Sequence, residues 1–277
     1  MTTPVAVVTG ASSGIGRALA QQLDGEGYNL VLCDVNEPAL RETQALLKRG
    51  SQRVTLDVSN RAAVNAMAAD VIARHGRVDL VINNAGVALD ATLAEVSIED
   101  FEWLFGINFW GVVYGTKAFL PHIKTAGEGH IVNISSVFGL IAVPTQSAYN
   151  AAKFAVKGFT EALREELEIE GSAVGVTCVH PGGIKTNIAA SARVTETKGM
   201  VDVKSTRDFE KAFMTTPEQA AEVIVKAIKN NSRRLLIGPD AKVIDIMQRV
   251  LPTAYQKLLI AGAKARRNKM LKKQQPA

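Results

Sequence analysis

The sequence has 277 residues, of which 47% are hydrophobic and 21% charged, a composition that excludes a disordered chain and fits one large α/β domain or two small ones. The net charge of +5 is unevenly distributed, because the segment from Arg249 onward contains eight Lys and Arg residues and no Asp or Glu. The preceding part, with 24 basic and 27 acidic residues, is mildly acidic, so only the C-terminal tail is basic.

The cysteine content and the N-terminal sequence favour a location in the reducing cytoplasm. Cys33 and Cys178, the two cysteines of the sequence, each lie in an apolar run, and they provide no disulfide framework. They are typical of buried thiols in a reducing compartment, so we expect a cytoplasmic protein. The first residues lack the charged start and long apolar core of a signal peptide. The apolar stretch from Trp103 to Leu120 is interrupted by polar residues, which favours a buried or interface helix over a membrane span.

Strand-like runs rich in Val, Ile and Leu alternate along the chain with helix-length segments. The predicted strands are Val5–Thr9, Asn29–Cys33, Arg53–Leu56, Leu80–Asn83, His130–Ile134, Val174–Val179 and Arg234–Ile237. The predicted helices lie near residues 14–26, 36–49, 60–75, 97–120, 147–170 and 217–230. This order predicts a parallel sheet with right-handed crossovers, and the continuous apolar runs predict strands that are covered on both faces.

The first predicted strand ends in a glycine-rich turn, Thr9-Gly10-Ala11-Ser12-Ser13-Gly14-Ile15-Gly16. Glycines at a strand-to-helix junction let the backbone approach a pyrophosphate at the helix N-terminus, although an ordinary tight turn is the alternative. The second strand is followed by Asp34, which can accept hydrogen bonds from ribose hydroxyls and would repel a 2′-phosphate. No basic residue replaces Ser13, so the sequence predicts NAD in preference to NADP.

A phenol and an ammonium lie one helical turn apart in Tyr149-Asn150-Ala151-Ala152-Lys153. This spacing puts both side chains on the same face of a helix, and a nearby lysine favours the phenolate of a tyrosine whose ordinary pKa is about 10. Ser136 lies thirteen residues upstream of Tyr149 and offers a hydroxyl donor near the oxygen whose charge changes. Surface helices often carry such pairs, so this motif alone is weak evidence for a catalytic site.

From Val5 to about Ile237 the sequence resembles the short-chain dehydrogenase/reductase family of the roughly 250-residue type. The resemblance rests on ordered motifs, namely Thr9-Gly-x-x-x-Gly-x-Gly16, Asp57-Val58, Asn83-Asn84-Ala85-Gly86, the set Asn108, Ser136, Tyr149 and Lys153, and Pro181-Gly182-Gly183-Ile184-Lys185-Thr186. We therefore expect a Rossmann-like doubly wound parallel sheet of about seven strands in three α/β/α layers. Residues 1–240 are expected to form one dinucleotide-binding and catalytic domain, with a substrate-loop insertion at 187–216 and a helical basic extension at 241–277.

The resemblance implies hydride transfer between NAD and a secondary alcohol or ketone. Tyr149 is then the general acid or base, Lys153 lowers its pKa, Ser136 stabilises the substrate oxygen and Asn108 holds a relay water. The residues expected to contact the cofactor are Gly10, Ser12, Ser13, Gly14, Ile15, Gly16, Asp34, Asp57, Val58, Asn84, Ala85, Gly86, Tyr149, Lys153, Pro181, Gly182, Ile184 and Thr186.

Some of these residues also have an ordinary structural interpretation. Asn108 could be a hydrogen-bonded buried amide, Asp57 a turn or cap residue, and Thr186 a helix cap. The four histidines of the sequence show no ligand spacing, so we predict no metal site.

The predicted substrate pocket is largely apolar. Its expected contact residues are Ser136, Phe138, Val143, Tyr149, Gly183 and Ile188, with Met200 in the insertion. This lining favours a hydrophobic substrate of a lipid-like, steroid-like or aromatic kind. Arg193, Lys198 and Lys204 of the insertion remain alternatives for binding a carboxylate.

The role of the C-terminal tail is open between two interpretations. Apolar residues recur at helical spacing from Val243 to Leu251, and Pro252 separates two helical segments. We favour a helix that packs over the substrate pocket or on a second subunit over an amphipathic basic element on an anionic membrane. Nucleic acid is not an expected partner, because Tyr255 is the single aromatic residue among the tail charges.

Two functions from different classes fit the sequence. The first is an NAD-dependent oxidoreductase that forms a homodimer or homotetramer, because helices 97–120 and 147–170 are where members of the family pair. The alternative is a nucleotide-sensing or scaffold protein of the same fold that acts through its basic tail. The complete set of Asn108, Ser136, Tyr149 and Lys153 favours the enzyme.

Overall fold

The computed structural model describes residues 3–186, 188, 192–194 and 215–274. Nine strands lie in this part of the chain: β1 (Val5–Thr9), β2 (Asn29–Asp34), β3 (Ser51–Thr55), β4 (Leu80–Asn83), β5 (Leu89–Asp90), β6 (Gly129–Ile134), β7 (Val174–Pro181), β8 (Arg193–Val194) and β9 (Arg234–Ile237). The helices are α1 (Gly14–Gly25), α2 (Glu37–Ala45), α3 (Arg61–His75), α4 (Ile98–Phe105), α5 (Gly111–Ala126), α6 (Ser147–Ile169), α7 (Pro217–Lys229), α8 (Pro239–Val250) and α9 (Ala254–Gln274).

Seven of the strands form one parallel sheet in the order β3-β2-β1-β4-β6-β7-β9. The strand order reverses between β1 and β4, where Ala6 pairs with Leu30 on one side and with Leu80 on the other. Ligands of doubly wound sheets bind beyond the carboxyl ends of the strands at such a switch point. The predicted doubly wound fold is therefore confirmed.

Two hydrophobic layers cover the two faces of the sheet. Alternate β1 residues point to opposite faces, so that Ala6 and Val8 pack with α1 and α7, whereas Val5 and Val7 pack with α3, α5 and α6. All four of these side chains are at most 1% exposed. This burial on both faces explains why the strand sequences are continuously apolar.

The segment predicted as one helix near 97–120 is divided in the structure. A π-helical turn at Gly106–Trp110 separates α4 from α5, and α5 continues past Pro121 to Ala126. In this turn the Gly111 N–H bonds to the Gly106 carbonyl, five residues back. Such turns occur as single insertions in helices and are frequent at functional sites.

Residues 239–274 contain two helices, α8 and α9, which lie on either side of Pro252. Helix α8 begins at Pro239, so the expected domain boundary at residue 240 lies in its first turn. On α8 the apolar residues Val243, Ile246 and Val250 are exposed at 61–70%. No helix in the described ranges is long and apolar enough to cross a membrane.

Candidate active site

The glycine-rich turn after β1 has the backbone that an anion-binding loop requires. Gly10 and Gly14 have φ values of +65° and +51°, in the left-handed region that favours glycine. A side chain at Gly16 would collide with the Gly10 carbonyl oxygen and would lie 2.7 Å from Nδ2 of Asn84. The N-terminus of α1 has no side-chain cap and no acidic residue in its first turn. Its free N–H groups therefore fit the pyrophosphate of a dinucleotide.

Asp34 lies at the end of β2, beside this turn. Its Oδ2 accepts a hydrogen bond from Ser12 N at 3.1 Å, and its Oδ1 accepts one from Asn36 N at 3.0 Å. Both oxygens keep further lone pairs for ribose hydroxyls. Arg17, the basic residue next to the glycine-rich turn in the sequence, is already bound to the Ser12 carbonyl at 2.6 Å and to Glu42 at 3.0 Å. It is therefore not free to bind a 2′-phosphate.

Hydrogen bonds between the ends of β1 and β4 fix the next predicted motif. Thr9 Oγ1 accepts from the Asn84 and Ala85 N–H groups at 3.0 and 3.1 Å, and Asn84 Nδ2 donates to the Thr9 carbonyl at 2.9 Å. Thr186 approaches the glycine turn from β7, because a Cβ built on Gly14 would lie 3.1 Å from its methyl group. The structure thus brings the predicted turn and the predicted loop after β7 together.

The other predicted cofactor residues follow the same ends of the strands. Asp57 and Val58 come after β3, and Asp57 Oδ1 accepts from Ser59 N and Oγ, both at 2.8 Å, so its carboxylate also has the turn role that was the alternative. Pro181 ends β7, and Ile184 behind it is 6% exposed. All of these residues therefore lie at the carboxyl ends of the parallel strands.

Ser136, which follows the carboxyl end of β6, lies close to Tyr149 and Lys153 in the first two turns of α6. The Ser136 hydroxyl is near enough to the Tyr149 phenol to lower its pKa, and Lys153 Nζ lies 5.6 Å from the Tyr149 ring centroid. Lys153 is 3% exposed, and its Nζ donates to the Ile134 carbonyl at 2.9 Å. A phenol that can exchange a proton therefore lies beside a hydroxyl donor and a buried cation.

Burial controls the ionisation of this pair. It raises the pKa of Tyr149, while the hydrogen bond from Ser136 acts in the opposite direction. Burial also lowers the pKa of Lys153 to about 8. We expected Lys153 to lower the pKa of Tyr149. In the chain alone this pKa is raised instead, because desolvation of the phenol outweighs the other effects.

Asn108 lies in the π-helical turn and is fully buried. Its Oδ1 accepts from Val87 N and its Nδ2 donates to the Val87 carbonyl, both at 2.8 Å. A Cβ built on Gly86 would lie 3.3 Å from Asn108 Oδ1 and 3.6 Å from Lys153 Nζ. The asparagine is thus near the lysine, but its amide is already paired with the backbone.

The predicted substrate residues are placed in part. Phe138 packs edge-on against Tyr149 with ring centroids 6.2 Å apart, and the Val143 carbonyl accepts from Asn150 Nδ2 at 2.9 Å. Gly183 is half-buried, whereas Ile188 is 37% exposed.

The structure describes little of the predicted insertion. Met200, Lys198 and Lys204 lie outside the described residues. Arg193 is described, and it forms an ion pair with Asp100 at 2.7 Å and stacks on Trp103.

Several residues near the site were not predicted from the sequence. His180 Nδ1 lies 2.9 Å from the Ser136 carbonyl, Asp240 Oδ2 accepts from Gly183 N at 2.6 Å, and Tyr255 Oη accepts from Ala142 N at 3.2 Å. The partners in these contacts are 44 to 113 positions apart. Such contacts depend on the tertiary fold, so no local sequence pattern reveals them.

Comparison with known families identifies the chain. The model of the family described as short chain dehydrogenase matches residues 4–197. The chain belongs to the short-chain dehydrogenase family. This result confirms the resemblance of the sequence motifs.

Relatives of this short-chain dehydrogenase extend over nearly its whole length. A protein of Mycobacterium tuberculosis named "Putative oxidoreductase SadH" is 48% identical over 263 residues, which cover 93% of this chain and 94% of that protein. The Xenopus laevis protein named dehydrogenase/reductase SDR family member 7B is 34% identical and is matched over 95% of this chain and 82% of its own length.

A crystal structure of a short-chain dehydrogenase/reductase from Burkholderia phymatum superposes with a TM-score of 0.83. It is 33% identical, and the match covers 90% of this chain and 93% of that one. That protein was solved in complex with NAD, which agrees with the predicted cofactor. The family and the fold together establish an oxidoreductase of the dehydrogenase/reductase class.

Proposed function

We propose that this short-chain dehydrogenase transfers a hydride between NAD and a secondary alcohol or ketone. The observation that carries the proposal is the arrangement of Ser136, Tyr149 and Lys153, in which the Ser136 hydroxyl is near enough to the phenol to lower its pKa and the ammonium lies 5.6 Å from the phenol ring centroid. NAD, when bound, accepts or supplies the hydride. The chain contributes the position of the substrate and the transfer of its proton.

Each of the catalytic residues has a separate role in this proposal. Tyr149 donates a proton to the substrate oxygen in reduction and accepts it in oxidation. Ser136 donates a hydrogen bond to the same oxygen and stabilises the charge that develops on it. Lys153 supplies positive charge next to the phenol, which favours the phenolate during oxidation.

Asn108 requires a modified role. Because its side-chain amide is paired with Val87, a relay water between Lys153 and solvent is better held by the backbone of the π-helical turn. A π turn changes the hydrogen-bonding pattern of neighbouring carbonyls, and these oxygens are suitable water ligands. Asn108 would then position this turn through its two bonds to Val87.

Preference for NAD over NADP follows from the charges at the ribose end. Asp34 places a carboxylate at the end of β2, and Arg17 is bound to Ser12 and Glu42. A 2′-phosphate would therefore meet the Asp34 carboxylate, and Arg17 is not free to balance its charge.

The proposed substrate is hydrophobic, of a lipid-like, steroid-like or aromatic kind. Phe138 packs against the catalytic phenol, and the segment that leads to Tyr149 carries Val143 and Pro144. Arg193, which the sequence left as a possible carboxylate ligand, is bound to Asp100 and Trp103 instead. These observations favour an apolar pocket.

We also propose a cytoplasmic homodimer or homotetramer in which residues 1–240 form the catalytic unit. Aromatic side chains on the surface of the π-helical turn and α6 support association, because Trp110 is 45% and Phe154 41% exposed.

The test is an assay of NAD-dependent oxidation over secondary alcohols from short-chain through aromatic to steroid, with NADP in parallel. We expect turnover of the bulky apolar alcohols with NAD and much slower turnover with NADP. In Tyr149→Phe we expect NADH to bind normally and kcat to fall by at least about 100-fold, the lower end of the contribution of acid–base catalysis. Absence of turnover with every alcohol despite tight NADH binding would instead favour a nucleotide sensor.

A further inference from the structure

The segment from Pro239 to Tyr255, which we name the C-terminal strap, contacts two loops of the candidate active site, the one between β6 and α6 and the one after β7. It consists of α8 and the first residues after it, and it packs against the 3₁₀ turn at Val137–Gly139 that follows Ser136. None of the motifs that identify the family lies in this segment. We propose that the C-terminal strap is a positioning element. Asp240 fixes the loop after β7, which by the family resemblance holds the nicotinamide end of the cofactor, and Tyr255 fixes the substrate wall.

Asp240 provides the first contact. Its Oδ2 accepts a hydrogen bond from Gly183 N at 2.6 Å, and its carboxylate occupies the space that a side chain at either Gly182 or Gly238 would take. The backbone thus closes around the carboxylate from two sides, and the Gly182 N–H is bound to the Ile237 carbonyl at 2.9 Å. Asp240 therefore determines where the residues after Pro181 lie.

The position of this loop matters for one end of the cofactor. The loop continues to Ile184 and to Thr186, whose methyl group lies beside Gly14 of the pyrophosphate turn. The adenosine end is expected to contact separate residues, among them Asp34 at the end of β2. Loss of the Asp240 contact should therefore weaken binding of the nicotinamide half and leave the adenosine half unaffected.

Tyr255 provides the second contact. It is 5% exposed, in contrast to its neighbours Ala254 and Gln256, which are exposed. Its Oη accepts from Ala142 N at 3.2 Å. Ala142 lies between Ser136 and Tyr149, directly before Val143 in the proposed substrate wall. Tyr255 therefore holds the wall in place without contacting the reacting atoms.

This inference rests on the proposed function, and its first experiment needs no turnover. Fluorescence titrations measure the affinity of the full chain for NADH and for AMP, which contains only the adenosine half of the cofactor. In Asp240→Ala we expect about tenfold weaker NADH binding, since a hydrogen bond to a charged group is lost, and unchanged AMP binding. Asp240→Asn keeps an acceptor oxygen and should restore most of the NADH affinity.

Asp245→Ala is the matched control, because it removes a carboxylate of the same helix that pairs with Arg249 and Arg234 instead of a site loop. Its NADH affinity should equal that of the wild type. Equal weakening of NADH and AMP in Asp240→Ala would show a merely structural role and overturn the inference, as would an unchanged NADH affinity. Failure of the wild-type chain to bind NADH would overturn the proposed function itself.

The second experiment tests the substrate wall through Tyr255→Phe, which keeps the ring and removes the acceptor. We expect faster hydrogen exchange at the Ala142 amide, and an increase of about threefold to tenfold in KM for the best alcohol with nearly unchanged kcat and NADH affinity. The exchange measurement stands whether or not a substrate has been found. Unchanged exchange at Ala142, or a loss of NADH affinity equal to that of Asp240→Ala, would refute the role assigned to Tyr255.

Discussion

Tyr149 and Lys153 are two ionisable residues whose charged forms are both disfavoured by burial. Burial raises the pKa of the phenol and lowers the pKa of the ammonium to about 8. At neutral pH the chain alone therefore carries a protonated phenol beside a lysine that is mostly charged. This state is suited to donation of a proton to a ketone, whereas alcohol oxidation requires the phenol to lose its proton first.

The rates of alcohol oxidation and of ketone reduction should depend on pH in opposite ways because of this protonation state. Oxidation needs the phenolate, whose fraction increases as the pH approaches the raised pKa of Tyr149, so the oxidation rate should rise from neutral to alkaline pH. Above about pH 8 Lys153 loses its charge and the rise should become shallower. Ketone reduction needs the protonated phenol and should decline at alkaline pH. Initial rates measured in both directions across this range test the assignment, and an oxidation rate that falls on leaving neutral pH would contradict it.

At the scale of the elements, much of the fold was predictable because each central strand is buried on both faces. The central runs Val5–Thr9 and Leu80–Asn83 have the predicted bounds, and so does the partly buried edge strand Arg234–Ile237. The start of α7 was also predictable, since Thr216 forms a capping box with Gln219. The π-helical turn was not, because its apolar sequence fits an α-helix equally well and its geometry depends on the bonds between Asn108 and Val87.

The junction between β1 and α1 makes a specific demand on its glycines. Gly16→Ala would place a methyl group against the Gly10 carbonyl oxygen, which is backbone and cannot rotate away. We expect NADH affinity to fall at least about tenfold and stability to fall by about 1–3 kcal/mol, as for an overpacked core.

Gly25→Ala, at the other end of α1, is the control for this substitution. A Cβ there meets nothing within 4 Å, so stability should be unchanged or slightly higher. Calorimetry and NADH titration of the two variants give the comparison. Equal NADH affinity in both would show that the junction does not approach the cofactor.

At the scale of the whole molecule, the local motifs of the site were predictable from the sequence, but the contacts between its distant segments were not. The spacing of Tyr149 and Lys153 on a helix fixes their common face, whereas the contact between Tyr255 and Ala142 joins residues 113 positions apart. The tail was favoured as a helix over the substrate pocket or on a second subunit. Tyr255 contacts the pocket side, while the face of α8 with Val243 and Ile246 remains exposed on the single chain.

The exposed aromatic surface should be covered by a second copy of the chain. Trp110 stacks on Tyr114 and is 45% exposed, beside the helices through which the family resemblance predicts pairing. We expect the wild type to elute in gel filtration as a dimer or tetramer and Trp110→Glu to shift towards the monomer, because a charge at the centre of an apolar interface is unfavourable. Leu46→Glu is the control: Leu46 is 51% exposed directly after α2, on neither of the pairing helices, and its replacement should leave the assembly unchanged. A wild-type chain that elutes as a monomer would refute the predicted association, and equal dissociation by both substitutions would place the interface elsewhere.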